Sequence, residues 1–398
     1  MKTIKKLSEI PLRGRRVLVR VDFNVPLALE GDQYVVTDTT RLEGALPTIN
    51  YIIEQGGRCI LASHLGRPKG QPVKKYSLEP VGQKLSELLS KDVILTDDCV
   101  GDGPRGLSHQ LRPGDVMLLE NLRFHREEEE NSVEFANQLL ELCDVYISDA
   151  FGTLHRAHAS TYQAPKTAME KGMGFLVEKE LAALMPLKDS PARPFVLVMG
   201  GSKVSDKIGV LEQFMPKVDR VLIGGAMAYA FLKAQGVEIG NSLCEDKQVQ
   251  LAVRLLKAAA ARNVKILLPV DHVVARTLET PKDAKPTPTE AIADGWMGLD
   301  IGPETVKRYE AALTGAETIF WNGPMGVFEV PEFAHGTQAL AKAIANSHAK
   351  KMAGGGDVVA AIGKAQVENQ FDFISTGGGA TLEFLEGKEL PGLKALEV

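Results

Sequence analysis

Arginine and histidine recur in this chain just after runs of apolar residues, and that placement makes them candidates for chemistry. RVDFNVP carries Asp22, Phe23 and Asn24; SHLGRPKG carries His64, Leu65, Gly66 and Arg67; ENLRF carries Arg123; DAFGTLHRAH carries His155, Arg156 and His158. Open parallel sheets bind ligands at the carboxyl ends of their strands. Cations that fall repeatedly at such ends therefore predict a cationic rim rather than ordinary surface solvation. Arg41 joins the rim, because Thr40 and Glu43 have capping-box spacing and place it in the first turn of a helix carrying Leu42, Ala45, Leu46 and Ile49, kinked at Pro47. Arginine forks bind phosphate and carboxylate bidentately, so their convergence implies a small polyanionic ligand. HRAH has the i, i+3 spacing of a metal-binding pair. With no carboxylate or thiol cluster beside it, satisfied or substrate-facing histidines are expected.

The second half places glycine, not arginine, after its apolar runs: GGSKVSDK, IGGAMAY, NGPMGVFE, AGGGD and STGGGAT. Glycine lets backbone N–H groups approach a phosphate, and a following helix N-terminus adds a favourable dipole. A nucleotide is expected here. Lys203 and Lys207, at i, i+4, would share a face near a helix N-terminus, where cations oppose the dipole unless an anion lies between them. Asp357 is the natural Mg²⁺ carboxylate, because magnesium at phosphate sites takes one or two carboxylates plus phosphate oxygens. GDGPRG at 101–106 matches GxGxxG by letter, but Pro104 and the LRPGD that follows predict a turn instead of a helix. No GxxxxGK[ST] and no HRD catalytic loop occurs.

The elements that must position these groups read as an alternation of buried strands and helices. Strands are expected at 16–23, 58–63, 115–121 and 144–151, then at 194–200, 219–225, 264–271, 317–323, 357–363 and 372–378. A helix-like stretch from Phe175 to about Leu187, followed by Pro191 and Pro194, separates the halves as a connector, and the acidic run Glu127–Glu130 reads as a solvated face. A chain of 398 residues exceeds one ordinary core, so two domains are expected. A net charge of -5 argues against nucleic-acid or anionic-membrane partners, and no apolar stretch reaches the ~20 residues of a membrane span. Four scattered cysteines without a CxxC pair signal neither a zinc site nor a disulfide framework and fit a reducing cytoplasm.

In order and over essentially the whole chain, RVDFNVP, SHLGRP, ENLRF, DAFGTLHRAH, GGSKVSDK, NGPMGVFE, GGGD and STGGGA resemble phosphoglycerate kinase. The resemblance implies two Rossmann-like, doubly wound α/β domains joined by a hinge helix. A phosphoglycerate-binding domain would span 1–174 with 381–398 returning to it, a connector 175–190, and a nucleotide-binding domain 191–380. It implies a monomer that moves a phosphoryl group from 1,3-bisphosphoglycerate to ADP with Mg²⁺, giving 3-phosphoglycerate and ATP. Asp22, Phe23, Asn24, Arg41, His64, Leu65, Gly66, Arg67, Arg123 and Arg156 would form the phosphoglycerate site. Lys203, with Arg41 opposite, and the backbone of Gly377, Gly378 and Gly379 would stabilise the transferring group. Lys207 would bind nucleotide phosphates, Glu329 the ribose, Gly201, Gly224, Gly225 and Gly298 the adenosine, and Gly354, Gly355, Gly356 and Asp357 the phosphates and metal.

This chain departs from the family at Val358, where Ser or Thr usually follows the GGGD aspartate. A hydroxyl there would reach a phosphate oxygen, unless Val358 begins a buried strand and faces the core. The proposed chemistry needs no catalytic base, because a carboxylate nucleophile is already ionised at neutral pH. Domain closure would then keep water from the acyl phosphate. A nicotinamide oxidoreductase would need an intact GxGxxG. A non-catalytic nucleotide binder could dispense with Lys203, Arg41 or Asp357, and all three are present.

Overall fold

Six parallel strands organise each half. The computed structural model describes residues 3–398, and they divide into two compact units, Met1–Ala182 with Glu389–Val398, and Ala183–Lys388. In the first unit the strands are β1 (Arg16–Val21), β2 (Arg58–Ala62), β3 (Val93–Leu95), β4 (Val116–Leu118), β5 (Val145–Asp149) and β6 (Lys171–Met173), in the order β3-β4-β2-β1-β5-β6. Every pair is parallel, and Arg20 stands in register with Ala62 and Ser148. Strand alternation sends Val17, Val19 and Val21 to the face that packs on Leu42, Ala45 and Ile49, and Leu18 to the face that meets Phe135, Leu139 and Leu396.

The second unit repeats the scheme with β7 (Phe195–Met199), β8 (Arg220–Ile223), β9 (Lys265–Leu267), β10 (Thr318–Asn322), β11 (Lys350–Gly354) and β12 (Phe373–Ser375). Their order, β9-β8-β7-β10-β11-β12, is that of a dinucleotide-fold sheet, again all parallel. Both units are thus doubly wound α/β, as expected. Two strands of the first sheet, β3 and β6, were not among those expected, and three further elements were not foreseen. These three are the hairpin Leu27–Glu30/Gln33–Val36, turning at Gly31 with φ +60°, the three-stranded sheet of His272–Ala275, Lys285–Pro286 and Met297–Ile301, and the helix Asp102–Gln110. That helix starts where a turn was expected. Gly101 precedes it at φ +93° and Pro104 lies in its first turn, where the missing N–H costs nothing.

A helix, Phe175–Asp189, carries the chain across the boundary between the units. Asp149, the last residue of β5, accepts hydrogen bonds from Leu176 N at 2.9 Å and Val177 N at 3.4 Å, and Thr48 Oγ accepts from Phe175 N at 2.9 Å. The helix start is therefore fastened to β5 and to Thr40–Glu54. The C-terminal return begins at Glu389, not at Thr381, because Gly379–Leu385 packs on Ile208–Phe214 within the second unit. Gly392 N then donates to Leu154 O at 2.9 Å.

The expected strand at 357–363 is instead the helix Gly356–Ala365, and the strand is the preceding KKMAG of β11. Val358, Ala361 and Ile362, at i, i+3, i+4, form its buried stripe, so the apolar run has helical spacing. Val358 has no exposed surface and sits among the core residues of this unit. A hydroxyl at 358 would face that core and not a phosphate. Val358→Thr should therefore lower stability by about 1–3 kcal/mol, read as a fall in the urea midpoint, without tightening nucleotide binding. An unchanged midpoint with tighter binding would reverse this assignment.

Burial pushes the Asp149 carboxyl up to about 7, against hydrogen bonds that favour its ionised form. The folded state holds the proton more tightly than the unfolded state. Its contribution is full below about pH 4 and is lost as pH rises toward 7, at most about 4 kcal/mol. Asp149→Asn, always neutral, should lose this component, so the stability difference between the two proteins should change over that interval in urea titrations. A pH-independent difference would exclude it.

Candidate functional site

At the carboxyl end of β1, Asp22 pairs with Arg41 from the first turn of Thr40–Glu54, and His64 Nδ1 lies 3.9 Å from the same carboxylate. The first turn is as expected for Arg41, although Thr39 occupies the cap position and its hydroxyl reaches Glu43 at 2.6 Å. Beyond β2, Gly66 N donates to Asn24 Oδ1 at 2.9 Å, and Gly66 O accepts from Arg123 Nη1 at 2.8 Å. Asn121 braces this loop, accepting from Leu65 N and Arg123 N and donating to Leu65 O and Tyr76 O. Arg156, after β5, donates through Nε to His155 at 3.3 Å. Arg67 is exposed. Phe23 and Leu65 are buried, and their N–H groups are already donated to Ser63 and Asn121, so they shape the loops rather than offer donors.

Two buried charges here escaped the sequence reading. Arg20, 2% exposed, donates to Ser160 Oγ at 2.8 Å and to His64 Nδ1 at 3.3 Å. Glu128, with no exposed surface, accepts from Ser160 N at 2.8 Å and Ser160 Oγ at 2.6 Å. The acidic run is thus not simply a solvated face: Glu128 is internal, and Glu129 lies 3.2 Å from the guanidinium of Arg123. The only available signal for Arg20 was a charge at an alternating position inside an apolar strand. Arg123 is 4% exposed, and the atom that faces Glu129 at 3.2 Å is its Nε, an ion pair without hydrogen-bond alignment.

The clustering of arginines appears in the histidines. Burial, then Arg20, Arg123, Arg156 and Arg41, hold His64 well below its ordinary value. Burial, Arg123, Arg20 and Arg156 bring His158 down to about 4. Both imidazoles are neutral at pH 7, so the rim's positive charge resides in its arginines.

In the second unit the glycines fall into two kinds. Gly201 N donates to Pro324 O at 3.0 Å, Gly224 N to Met199 O at 2.9 Å, and Gly225 N to Met325 O at 2.9 Å. A Cβ on Gly225 would lie 2.6 Å from Gly201 N. These glycines let the ends of β7, β8 and β10 touch backbone to backbone; their N–H groups are spent. Gly298 is similar: it is buried against Tyr229 and donates to Ser242 Oγ at 2.9 Å. Gly356 and Gly378 differ, since a Cβ on either would meet nothing within 4 Å. Gly355, at φ +105°, and Gly356 lead into a ten-residue helix whose first turn has no side-chain cap, with Asp357 exposed there and Gly354 buried behind it. Gly378, at φ +55°, and exposed Gly379 open the short helix that follows β12.

Lys203 and Lys207 do not share a helical face. Lys203 is exposed in the loop after β7, whereas Lys207 immediately precedes the Ile208–Phe214 helix. Burial lowers the Lys207 pKa, opposed by Asp206, Asp357 and Glu386. Its ammonium donates to Asn322 Oδ1, and Asn322 Nδ2 donates to Gly354 O at 2.5 Å, so the end of β10 ties the lysine to the loop after β11. Glu329 is exposed on the loop beyond β10. Among the described residues no helix is long and apolar enough to cross a membrane.

A family model described as phosphoglycerate kinase matches residues 7–388. Phosphoglycerate kinase of Anaeromyxobacter dehalogenans is 53% identical over 396 residues, covering 99% of both chains, and that of Moorella thermoacetica is 52% identical over 390 residues, covering 98% of both. The solved phosphoglycerate kinase of Coxiella burnetii aligns with a TM-score of 0.89 at 42% identity over 99% of both chains, and that of Pyrococcus horikoshii with 0.81 at 34% over 98%. Two doubly wound units, one rimmed by arginine and one by open glycine loops, with these relatives, define a two-unit α/β kinase. The chain belongs to the phosphoglycerate kinase family, and it is a phosphotransferase of glycolysis.

In the unliganded protein, NMR titration should place His158 near 4. Arg156→Ala should raise it by less than about one unit, because burial is the larger cause. A titration at the ordinary 6.5 in the unsubstituted protein would mean that His158 is not buried among these arginines as described.

Proposed function

We propose that the chain catalyses reversible phosphoryl transfer from 1,3-bisphosphoglycerate to Mg-ADP, giving 3-phosphoglycerate and ATP, with a carboxyl group as acceptor in the reverse direction. The observation that carries this reading is the segregation of chemistry by unit. Arginines that together act on His64 and His158 rim the first sheet, and an uncapped, glycine-opened helix bearing Asp357 follows β11 in the second. Polyanion binding belongs to the first and nucleotide phosphate binding to the second.

In this proposal Arg41, Arg67, Arg123 and Arg156, with Asp22, Asn24 and His64, hold phosphoglycerate. His64 serves as a neutral hydrogen-bonding group. Lys207 and the N–H groups of Gly356 and Asp357 take nucleotide phosphates. Lys203, Arg41 and the backbone of Gly378 and Gly379 stabilise charge on the transferring group. The exposed Asp357 carboxylate, beside open space at Gly356 and near enough to act on Lys207, fits a hard oxygen-seeking cation. Asp357 would hold Mg²⁺, which when bound supplies positive charge to phosphate oxygens. The acceptor carboxylate is already ionised at neutral pH, so the residues need only position and neutralise charge. We take the protein to act in the cytoplasm as a monomer on small molecules, in keeping with a net charge of -5 and cysteines that are all free.

A coupled assay of ATP formation from ADP and the acyl phosphate tests the reaction directly. Lys203→Ala should lower kcat by at least ~10²-fold with little change in 3-phosphoglycerate binding. Arg67 is exposed, so Arg67→Ala should leave stability unchanged while weakening 3-phosphoglycerate binding by roughly 1–3 kcal/mol and sparing Mg-ADP. Near-normal turnover of the lysine variant, or loss of ADP affinity in the arginine variant, would overturn these roles.

A further inference from the structure

Three residues that the proposed reaction does not use meet beside the first sheet. Asp98 and Cys99 lie between β3 and the Asp102–Gln110 helix, and His125 directly follows the Leu122–Phe124 turn. The Asp98 carboxylate, Cys99 Sγ and a ring nitrogen of His125 all lie within 4.8 Å of one another, and no other group of three such side chains among the described residues does so. Asp98 Oδ1 accepts from Cys99 N at 2.6 Å and lies 2.6 Å from His125 Nε2. The imidazole is held by Phe135, with ring centroids 5.2 Å apart.

We propose that Asp98, Cys99 and His125 form a binding site for one zinc-type divalent cation, with solvent as the fourth ligand. One oxygen, one sulfur and one nitrogen donor are the mixture that zinc accepts in tetrahedral geometry, at ligand bonds of about 2.0–2.3 Å. Bonds of that length separate neighbouring ligand atoms by about 3–4 Å, so the Asp98–His125 contact must open slightly. Both side chains can do this, being 47% and 27% exposed, and their exposure also gives the ion a path in. Cys99, with no exposed surface, is the fixed member, and its thiol proton leaves to solvent on binding. A thiolate donor and a single carboxylate suit zinc, cadmium or cobalt and disfavour magnesium. The site is therefore chemically distinct from Asp357. Its occupancy would tie the segment before Asp102–Gln110 to the segment after Arg123, so the effect belongs to stability.

The test uses the full chain without nucleotide and with Mg²⁺ in excess. Titration with Co²⁺ should give a thiolate-to-cobalt charge-transfer band that saturates at one equivalent, and Zn²⁺ should displace it and raise Tm. Cys99→Ser should abolish the band, and His125→Asn should weaken Zn²⁺ binding at least ~10-fold and shrink the Tm rise at the same Zn²⁺ concentration. Cys244→Ser, which alters a half-exposed thiol elsewhere, should change neither. Absence of the band, its survival in Cys99→Ser or its loss in Cys244→Ser would overturn the proposal. Should Cys99→Ser fail to fold, unchanged Zn²⁺ affinity in His125→Asn would do the same, because that side chain is partly exposed.

Discussion

Parallel pairing is the constraint on which the remaining structure depends. Each of the twelve strands in the two main sheets pairs only in parallel. A parallel pair cannot be closed by a tight turn, so the chain crosses back over a face before each new strand. Within a unit every carboxyl end therefore arrives at the same sheet edge. Residues far apart in sequence, such as Asp22, His64, Arg123 and Arg156, are gathered by topology with no local signal bringing them together. In the second sheet the strand order reverses between β7 and β10, where Gly200 N donates to Asn322 O at 2.9 Å. A crevice is expected at such a reversal.

Gathering cations has an electrostatic cost that the first unit answers in two ways. Some positive charge is neutralised internally: Arg41 by Asp22, and Arg20 through Ser160, whose hydroxyl and N–H both go to Glu128. The rest is limited by keeping His64 and His158 neutral. A fixed positive charge remains on the arginines, which cannot lose their protons and so stay cationic across the pH range. The buried Arg20 shows the same logic at the end of β1. It stands on the face of Leu18, where an isolated charge would be prohibitive, and persists because its donors are met.

Glycine does two different kinds of work in the second unit. At 201, 224 and 225 it permits strand ends to approach within backbone contact, and the N–H groups are consumed in doing so. At 356 and 378 it opens space in front of a helix start, where N–H groups have no intrahelical acceptor. The letters are identical, and the difference lies in whether a neighbouring strand or open space stands beside the Cα. Lys207 and Asn322 connect the two kinds, since the asparagine holds the lysine with one end and Gly354 with the other.

The alternation of buried strands and helices, the arginines at strand ends and the connector helix were legible in the residues alone. Each follows from local pattern: continuous apolar runs, turn residues and capping spacing. Pattern failed where two periodicities compete over a short apolar run. At 357–363 the residues read as a buried strand, but the glycines before them end β11 and the spacing of Val358, Ala361 and Ile362 selects a helix. It failed again where a residue's surroundings come from distant segments. That Glu128 is internal, that Gly201 has spent its N–H, and that Cys99 meets Asp98 and His125 depend on contacts that only chain crossing creates. The sequence by itself determined which groups could do chemistry and on which half they lie. The tertiary structure decided which are free to do it, because burial and hydrogen-bond partners are supplied by neighbours in space.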